Sequence, residues 1–127
     1  MQTGLLEHVN VTVANPQDTA DLLCRLFDWH IRWSGPSALG GTTFHVGTEA
    51  QYVALYCPAA LAAVRPRDVA APGHLNHIAV VVDDLDAAEA RVREAGLEPG
   101  NHGDYEPGRR FYFVDDNGIE FEVVSYT

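Results

Sequence analysis

Cysteine is scarce in this sequence. Cys24 and Cys57 are the only two, in segments that read as a helix and a strand end, so no disulfide is expected and both read as buried free thiols. Long apolar runs are missing as well. No stretch approaches eighteen apolar residues, and the first ten lack a basic patch followed by a hydrophobic run, so a cytoplasmic protein without a leader or membrane span is expected. Positive charge is in short supply, with 8 Lys+Arg against 18 Asp+Glu and a formal net charge of -10. That field repels phosphate backbones and anionic head groups, which argues against nucleic acid and membrane as partners and favours a neutral or cationic small molecule or a divalent cation.

What is present is an ordinary globular composition, 46% hydrophobic and 20% charged in 127 residues. Such a chain makes one domain's worth of core without help from metal or disulfide, so any metal here would serve chemistry.

The chain also repeats itself. Sliding it along its own length brings Leu6-Glu7-His8-Val9-Asn10-Val11-Thr12-Val13 onto Leu75-Asn76-His77-Ile78-Ala79-Val80-Val81-Val82, both alternating like half-buried strands. Asp18 to Asp21 and Asp86 to Glu89 then each open a helical pattern, with apolar stripes at Leu22, Leu23, Leu26, Phe27 and at Leu85, Ala88, Val92, Ala95. β-rich runs follow each helix: Ile31 to Trp33, Thr42 to Val46 and Tyr52 to Tyr56, then a stretch near Leu97, Phe111 to Val114 and Ile119 to Ser125. The expected fold is α+β, two βαβββ modules in tandem whose sheets curl into an open cleft. Module 1 spans about 5–57, a Pro- and Ala-rich linker with room for a helical turn about 58–73, and module 2 about 74–126.

Alternation then sorts the strand residues by face. Val9, Val11 and Val13 go toward the first helix, as do Ile78, Val80 and Val82 toward the second. His8 and His77 take the opposite, helix-free face, and so does Glu122, because Phe121 and Val123 claim the helix side. If the halves are related by an approximate twofold axis, two imidazoles and one carboxylate can converge. That set leaves coordination positions open and suits Fe(II). The competing reading is that all three are ordinary residues on a solvated face.

The segments Glu7-His8-Val9, Asn76-His77-Ile78-Ala79-Val80-Val81-Val82-Asp83-Asp84-Leu85 and Phe111-Tyr112-Phe113-Val114-Asp115-Asp116-Asn117-Gly118-Ile119-Glu120-Phe121-Glu122 resemble the vicinal oxygen chelate superfamily of glyoxalases, extradiol dioxygenases and bleomycin-resistance proteins. The resemblance covers Leu5 to Tyr126 and is more specific for the fold than for a reaction. It implies one divalent ion, Fe(II) first with Mn(II), Zn(II) or Ni(II) as alternatives, on His8, His77 and Glu122. The fourth ligand position of some members maps near Ala54, which cannot bind metal, so the pattern is similar to that of the dioxygenases and fosfomycin transferases. The resemblance also implies a homodimer with the site at or near the subunit interface, His8 coming from one subunit and His77 with Glu122 from the other.

Around those three, Tyr52 and Tyr56 share the face of Ala54 and either line a substrate pocket or simply pack. Tyr112 alternates away from Phe111 and Phe113, matches a substrate-facing position in relatives, and is the expected catalytic hydrogen-bond donor. Arg109 and Arg110 precede this strand; Arg110 is assigned to an anionic substrate group, against a solvated surface role for both. Residues 98–108 read as a mobile loop containing His102. His30, His45 and His74 carry no partner argument. Asp83, Asp84 and Asp86 read as helix caps, and Asp115 to Asn117 as a tight turn rather than a calcium loop. Two functions remain open at this point. One is a metal-dependent enzyme, dioxygenase-like or glyoxalase/lyase-like; the other is a metal-free protein that sequesters a cationic drug in an acidic cleft, with which Trp29 and Trp33 are compatible.

Overall fold

A computed structural model describes residues 2–127. It divides into two compact units, one reaching to Ala63 and the other Val64–Thr127, the boundary falling inside the expected linker.

The first unit runs β1 (His8–Thr12), α1 (Pro16–Phe27), β2 (His30–Pro36), a 3-10 turn at Ala38–Gly40, β3 (Thr42–Gly47) and β4 (Tyr52–Cys57). Its sheet has the order β1-β4-β3-β2, with β1 parallel to β4 and the other pairs antiparallel. The Asn15 side chain caps α1 by accepting from the Asp18 N–H at 3.1 Å, and Pro16 starts the helix where its missing N–H costs nothing. Leu23 and Leu26 of the apolar stripe are buried with Val46, Val53 and Leu55, each such side chain worth roughly 1.5–3 kcal/mol of burial.

The second unit repeats the plan: β5 (Ile78–Val81), α2 (Leu85–Glu94), β6 (Gly100–Tyr105), β7 (Gly108–Val114) and β8 (Glu120–Ser125), ordered β5-β8-β7-β6 with β5 parallel to β8. Asp84 caps α2 by accepting from the Ala87 N–H at 3.0 Å. Leu85, Ala88 and Val92 of the helix are buried, as are Phe111, Phe113, Phe121 and Val123 of the sheet, and Phe113 stacks on Phe121 at 5.1 Å. Asp115 accepts from the N–H groups of Asn117 and Ile119, both at 2.9 Å, and so makes the tight turn. The expected tandem βαβββ α+β fold, with two open four-stranded sheets, is what the chain adopts.

Four local expectations are corrected. The strand near Leu97 does not exist: the Leu97 N–H returns to the Val92 carbonyl at 3.1 Å and the Gly96 N–H to Arg93 at 3.0 Å, with Gly96 at φ 85, so this segment is the helix's exit. Its place is taken by β6, inside the residues expected to be a mobile loop. Backbone pairing of Gly103 with Arg110 and Tyr105 with Gly108 supplies the order that the side chains do not. A Cβ at Gly103 would sit 2.6 Å from the Tyr105 ring, so a larger residue there would have to displace that ring. Arg109 and Arg110 lie within β7 rather than before it. Cys24 and Cys57 are free but half-buried. The linker, expected to have room for a helical turn, holds a turn at Asp68 to Ala71.

Candidate functional site

In the second unit, β8 and β7 present Glu122 and Tyr112 as direct cross-strand partners, while Ala79 of β5 sits opposite Glu122 on the other side. His77 immediately precedes β5 and brings its Nε2 to 3.9 Å from Glu122 Oε1. That separation is too long for a hydrogen bond and short enough for both atoms to reach one cation through bonds of about 2.1 Å. The far sides of both groups are tied down. His77 Nδ1 meets Asn76 Oδ1 at 2.8 Å, which fixes the ring with Nε2 turned toward Glu122. Glu122 Oε2 accepts from the Tyr112 hydroxyl at 2.5 Å and from Arg110 Nη1 at 3.3 Å, whereas Oε1 has no hydrogen-bond partner among the described residues. The residues present therefore fit a divalent cation on the His77 and Glu122 side of the set.

Glu122 is only 8% exposed, so its charge must be compensated locally. Arg110 does this, itself held over the Tyr105 ring at 4.7 Å with Nη2 donating to the Gly108 carbonyl at 3.3 Å. Burial opposes the charged guanidinium, but Tyr105 and Glu122 outweigh it and raise its pKa. The hydrogen bond to Glu122, then burial, raises the pKa of Tyr112, so its phenol keeps its proton. His77 and Tyr112 also meet edge to face at 5.7 Å.

The first unit places a different set on the equivalent strands. His8 opens β1 opposite Tyr52 of β4, and Asn10 and His45 flank Ala54 as Ala79 and Tyr112 flank Glu122. Where the second unit has a carboxylate, this one has Ala54, 2% exposed. Tyr52 stacks with His8 at 4.8 Å and with His45 at 4.5 Å, carries Arg32 over its ring at 4.4 Å, and donates to Glu7 Oε1 at 3.2 Å. The same Glu7 oxygen meets His8 Nδ1 at 2.9 Å, the counterpart of the Asn76–His77 contact. Glu7 is held below the usual carboxylate range, first by His8 and then by Tyr52. Burial, then the nearby charges of His8 and Arg32, lowers the pKa of His45. Tyr56 is half-buried in β4 opposite Thr43.

The sequence-predicted residues thus fall into two groups: His77, Glu122, Tyr112 and Arg110 come together in the second unit, and His8 with Tyr52 in the first. Among the described residues no three His, Cys, Asp or Glu side chains gather into one metal-holding group. Three residues escaped sequence reasoning. Glu7 and Asn76, each preceding its histidine, orient it, and the repeat itself was the available signal. His45 occupies the register position of Tyr112, visible once β3 is aligned with β7. His102, expected on a loop, pairs with Glu89 at 2.6 Å, and Arg109 with Asp86 at 3.0 Å.

This chain belongs to the Glyoxalase/Bleomycin resistance protein/Dioxygenase superfamily, whose family model matches residues 5–123. Among solved structures, it is similar to a glyoxylase/bleomycin resistance protein/dioxygenase domain from Frankia sp. EAN1pec, at TM-score 0.79 and 18% identity over 98% of each chain. It is also similar to the fosfomycin resistance protein FosX from Listeria monocytogenes, at TM-score 0.75 and 20% identity over 100% of this chain and 96% of that one. TnmS3, an antibiotic binding protein from Streptomyces sp. CB03234, matches at TM-score 0.73 and 19% identity over 100% and 99%. At these identities the likeness carries the fold. No curated protein matches the sequence. Among the described residues, no helix is long and apolar enough to cross a membrane.

Proposed function

We propose that the chain is a small metal-dependent enzyme of this superfamily, in which His8, His77 and Glu122 hold one divalent ion and a small molecule chelates to it. The observation that carries this reading is the aim of His77 Nε2 and Glu122 Oε1 at one another across 3.9 Å, with Asn76 and Tyr112 fixing their far sides. When bound, such an ion acts as a Lewis acid toward a substrate with two vicinal oxygens. Asn76 and Glu7 keep the ring protons of His77 and His8 at Nδ1, so that both Nε2 atoms are available as ligands. Tyr112 holds its proton at Glu122 Oε2 and is the catalytic hydrogen-bond donor of this reading. Tyr52 and Tyr56 shape the pocket wall, and Arg110 receives an anionic substrate group.

Dioxygenase-like and glyoxalase/lyase-like chemistry both follow from this set. Fe(II) suits the 2-His-1-carboxylate set best, with Mn(II), Zn(II) and Ni(II) as alternatives; FosX, similar in fold, has been crystallised with Mn(II) and sulfate. We assign a homodimer with the site at or near the subunit interface.

The experiment is elemental analysis of protein purified without chelator, wild type beside His77→Ala. A near-stoichiometric divalent ion in the wild type and its loss in the variant are expected. Equal, near-zero metal in both overturns the enzyme reading.

A second reading, metal-free sequestration of a cationic drug, is favoured by one feature: Arg110 and Tyr112 already compensate Glu122 without a metal. The net charge of -10 and the 48% exposed Trp33 suit it too. The fold likeness to the antibiotic binding protein TnmS3 keeps it in view. Calorimetric titration with a basic glycopeptide in the presence of chelator separates the two, since tight binding without metal favours sequestration.

A further inference from the structure

We infer that Arg110 is a resident counter-cation for Glu122, a charge that a divalent ion must compete with, so that this one residue sets the metal affinity of the site; the inference rests on the metal-site reading above. Three observations lead to it. The side chains of Arg110 and Glu122 are 12% and 10% exposed, so the pair is largely shielded from solvent and its charges are felt strongly. The contact is nonetheless poor for an arginine and a carboxylate: one bond, 3.3 Å long, where a charge-assisted pair is ordinarily about 2.7–2.9 Å and often forked. Finally, Arg110 Nε is buried with no hydrogen-bond partner, so the guanidinium is under-satisfied in this position.

A buried arginine tied by one long bond, with an orphaned N–H, is held near the carboxylate chiefly by its other contacts, the Tyr105 ring at 4.7 Å and the Gly108 carbonyl at 3.3 Å. Its position suits compensation of charge more than fixation of geometry, which Tyr112 supplies from 2.5 Å on the same oxygen. The open oxygen, Oε1, is the one that faces His77. A dication at Oε1 would therefore meet a carboxylate already neutralised and a guanidinium of like charge beside it. Both effects weaken binding. The first unit offers the contrast: at the register position of Arg110 it has Thr43, and at that of Glu122 it has Ala54, so neither charge is present there.

The test is calorimetric titration of Mn(II) into wild type, Arg110→Met, Arg110→Lys, Tyr105→Leu and Glu122→Gln, each checked for folding by circular dichroism. Arg110→Met should bind Mn(II) at least about tenfold more tightly than wild type. Arg110→Lys, which keeps the charge, should stay near wild type. Tyr105 is 60% exposed, so Tyr105→Leu keeps the fold even if Arg110→Met does not, and by loosening the guanidinium it should tighten Mn(II) binding several-fold. Equal or weaker binding in both Arg110→Met and Tyr105→Leu, with the wild type binding normally, overturns the counter-cation role and leaves the metal site standing. If wild type, Arg110→Met and Tyr105→Leu all bind no more Mn(II) than Glu122→Gln, the metal site itself is lost and this inference goes with it.

Discussion

The two sheets share order and strand direction, yet they place their polar groups differently. The second unit centres a guanidinium, a phenol and an imidazole on the buried carboxylate of Glu122; the first has Ala54 there, and gathers two imidazoles, Arg32 and Glu7 on the phenol of Tyr52 instead. The backbone frame is common to both, so the difference lies in a few side chains on the helix-free face. A repeat of this kind fixes where a residue sits and leaves its chemistry to single substitutions.

The comparison breaks most visibly at Glu122. Glu122→Gln leaves Arg110 buried without its anion, which should cost about 3–5 kcal/mol in denaturant unfolding and, on the proposed function, abolish metal binding. An unchanged midpoint would mean that the pair contributes no more than a surface contact. The reciprocal change, Ala54→Glu, puts a carboxylate into a site that is 2% exposed and lacks an equivalent of Arg110. It should destabilise by about 2–4 kcal/mol, and a neutral outcome would show that His8 and His45 accommodate the charge after all.

The orienting residues sharpen the comparison from the other side, because Asn76 and Glu7 hold their histidines in the same way with different charge. Asn76→Ala and Glu7→Ala should each weaken Mn(II) binding about 10–100-fold by calorimetry. A loss confined to Asn76→Ala would restrict the metal to the second unit's ligands.

The smallest effect is expected at Glu89 on α2, whose pKa is lowered first by Arg93 and then, against burial, by His102. A carboxylate with a depressed folded-state pKa stabilises at pH above its ordinary range, and that contribution fades as pH falls through the lowered value. Glu89→Gln should therefore lose roughly 0.5 kcal/mol near neutrality and show a shallower acid limb in urea unfolding between about pH 5 and 3. A parallel shift at every pH would assign the effect to packing.

Much of the frame was legible in the chain's repetition. His8 over His77 and the paired helix starts predict both modules, and alternation alone places Glu122 on the face away from Phe121 and Val123. β6 was not legible, because Gly100-Asn101-His102-Gly103-Asp104-Tyr105 contains no β-branched residue; the strand exists because the edge of β7 offers a ladder to pair with. Arg110 read as a contact for an anionic substrate group or a solvated charge, and not as the partner of Glu122, because Glu122 lies twelve residues away on β8 and only the register of β7 against β8 brings the two together. His45 was hidden for the same reason: its meaning comes from Tyr52 on the next strand, not from its sequence neighbours. Pairwise strand register, more than composition, separates what could be read from what could not.

If His77 and Glu122 are two ligands of one ion, anomalous diffraction from crystals grown with Mn(II) locates that ion directly. The prediction is a single strong anomalous peak about 2.1–2.3 Å from both His77 Nε2 and Glu122 Oε1. A fully occupied crystal environment with no peak there, or with the ion held elsewhere and Arg110 still on Glu122, would contradict it.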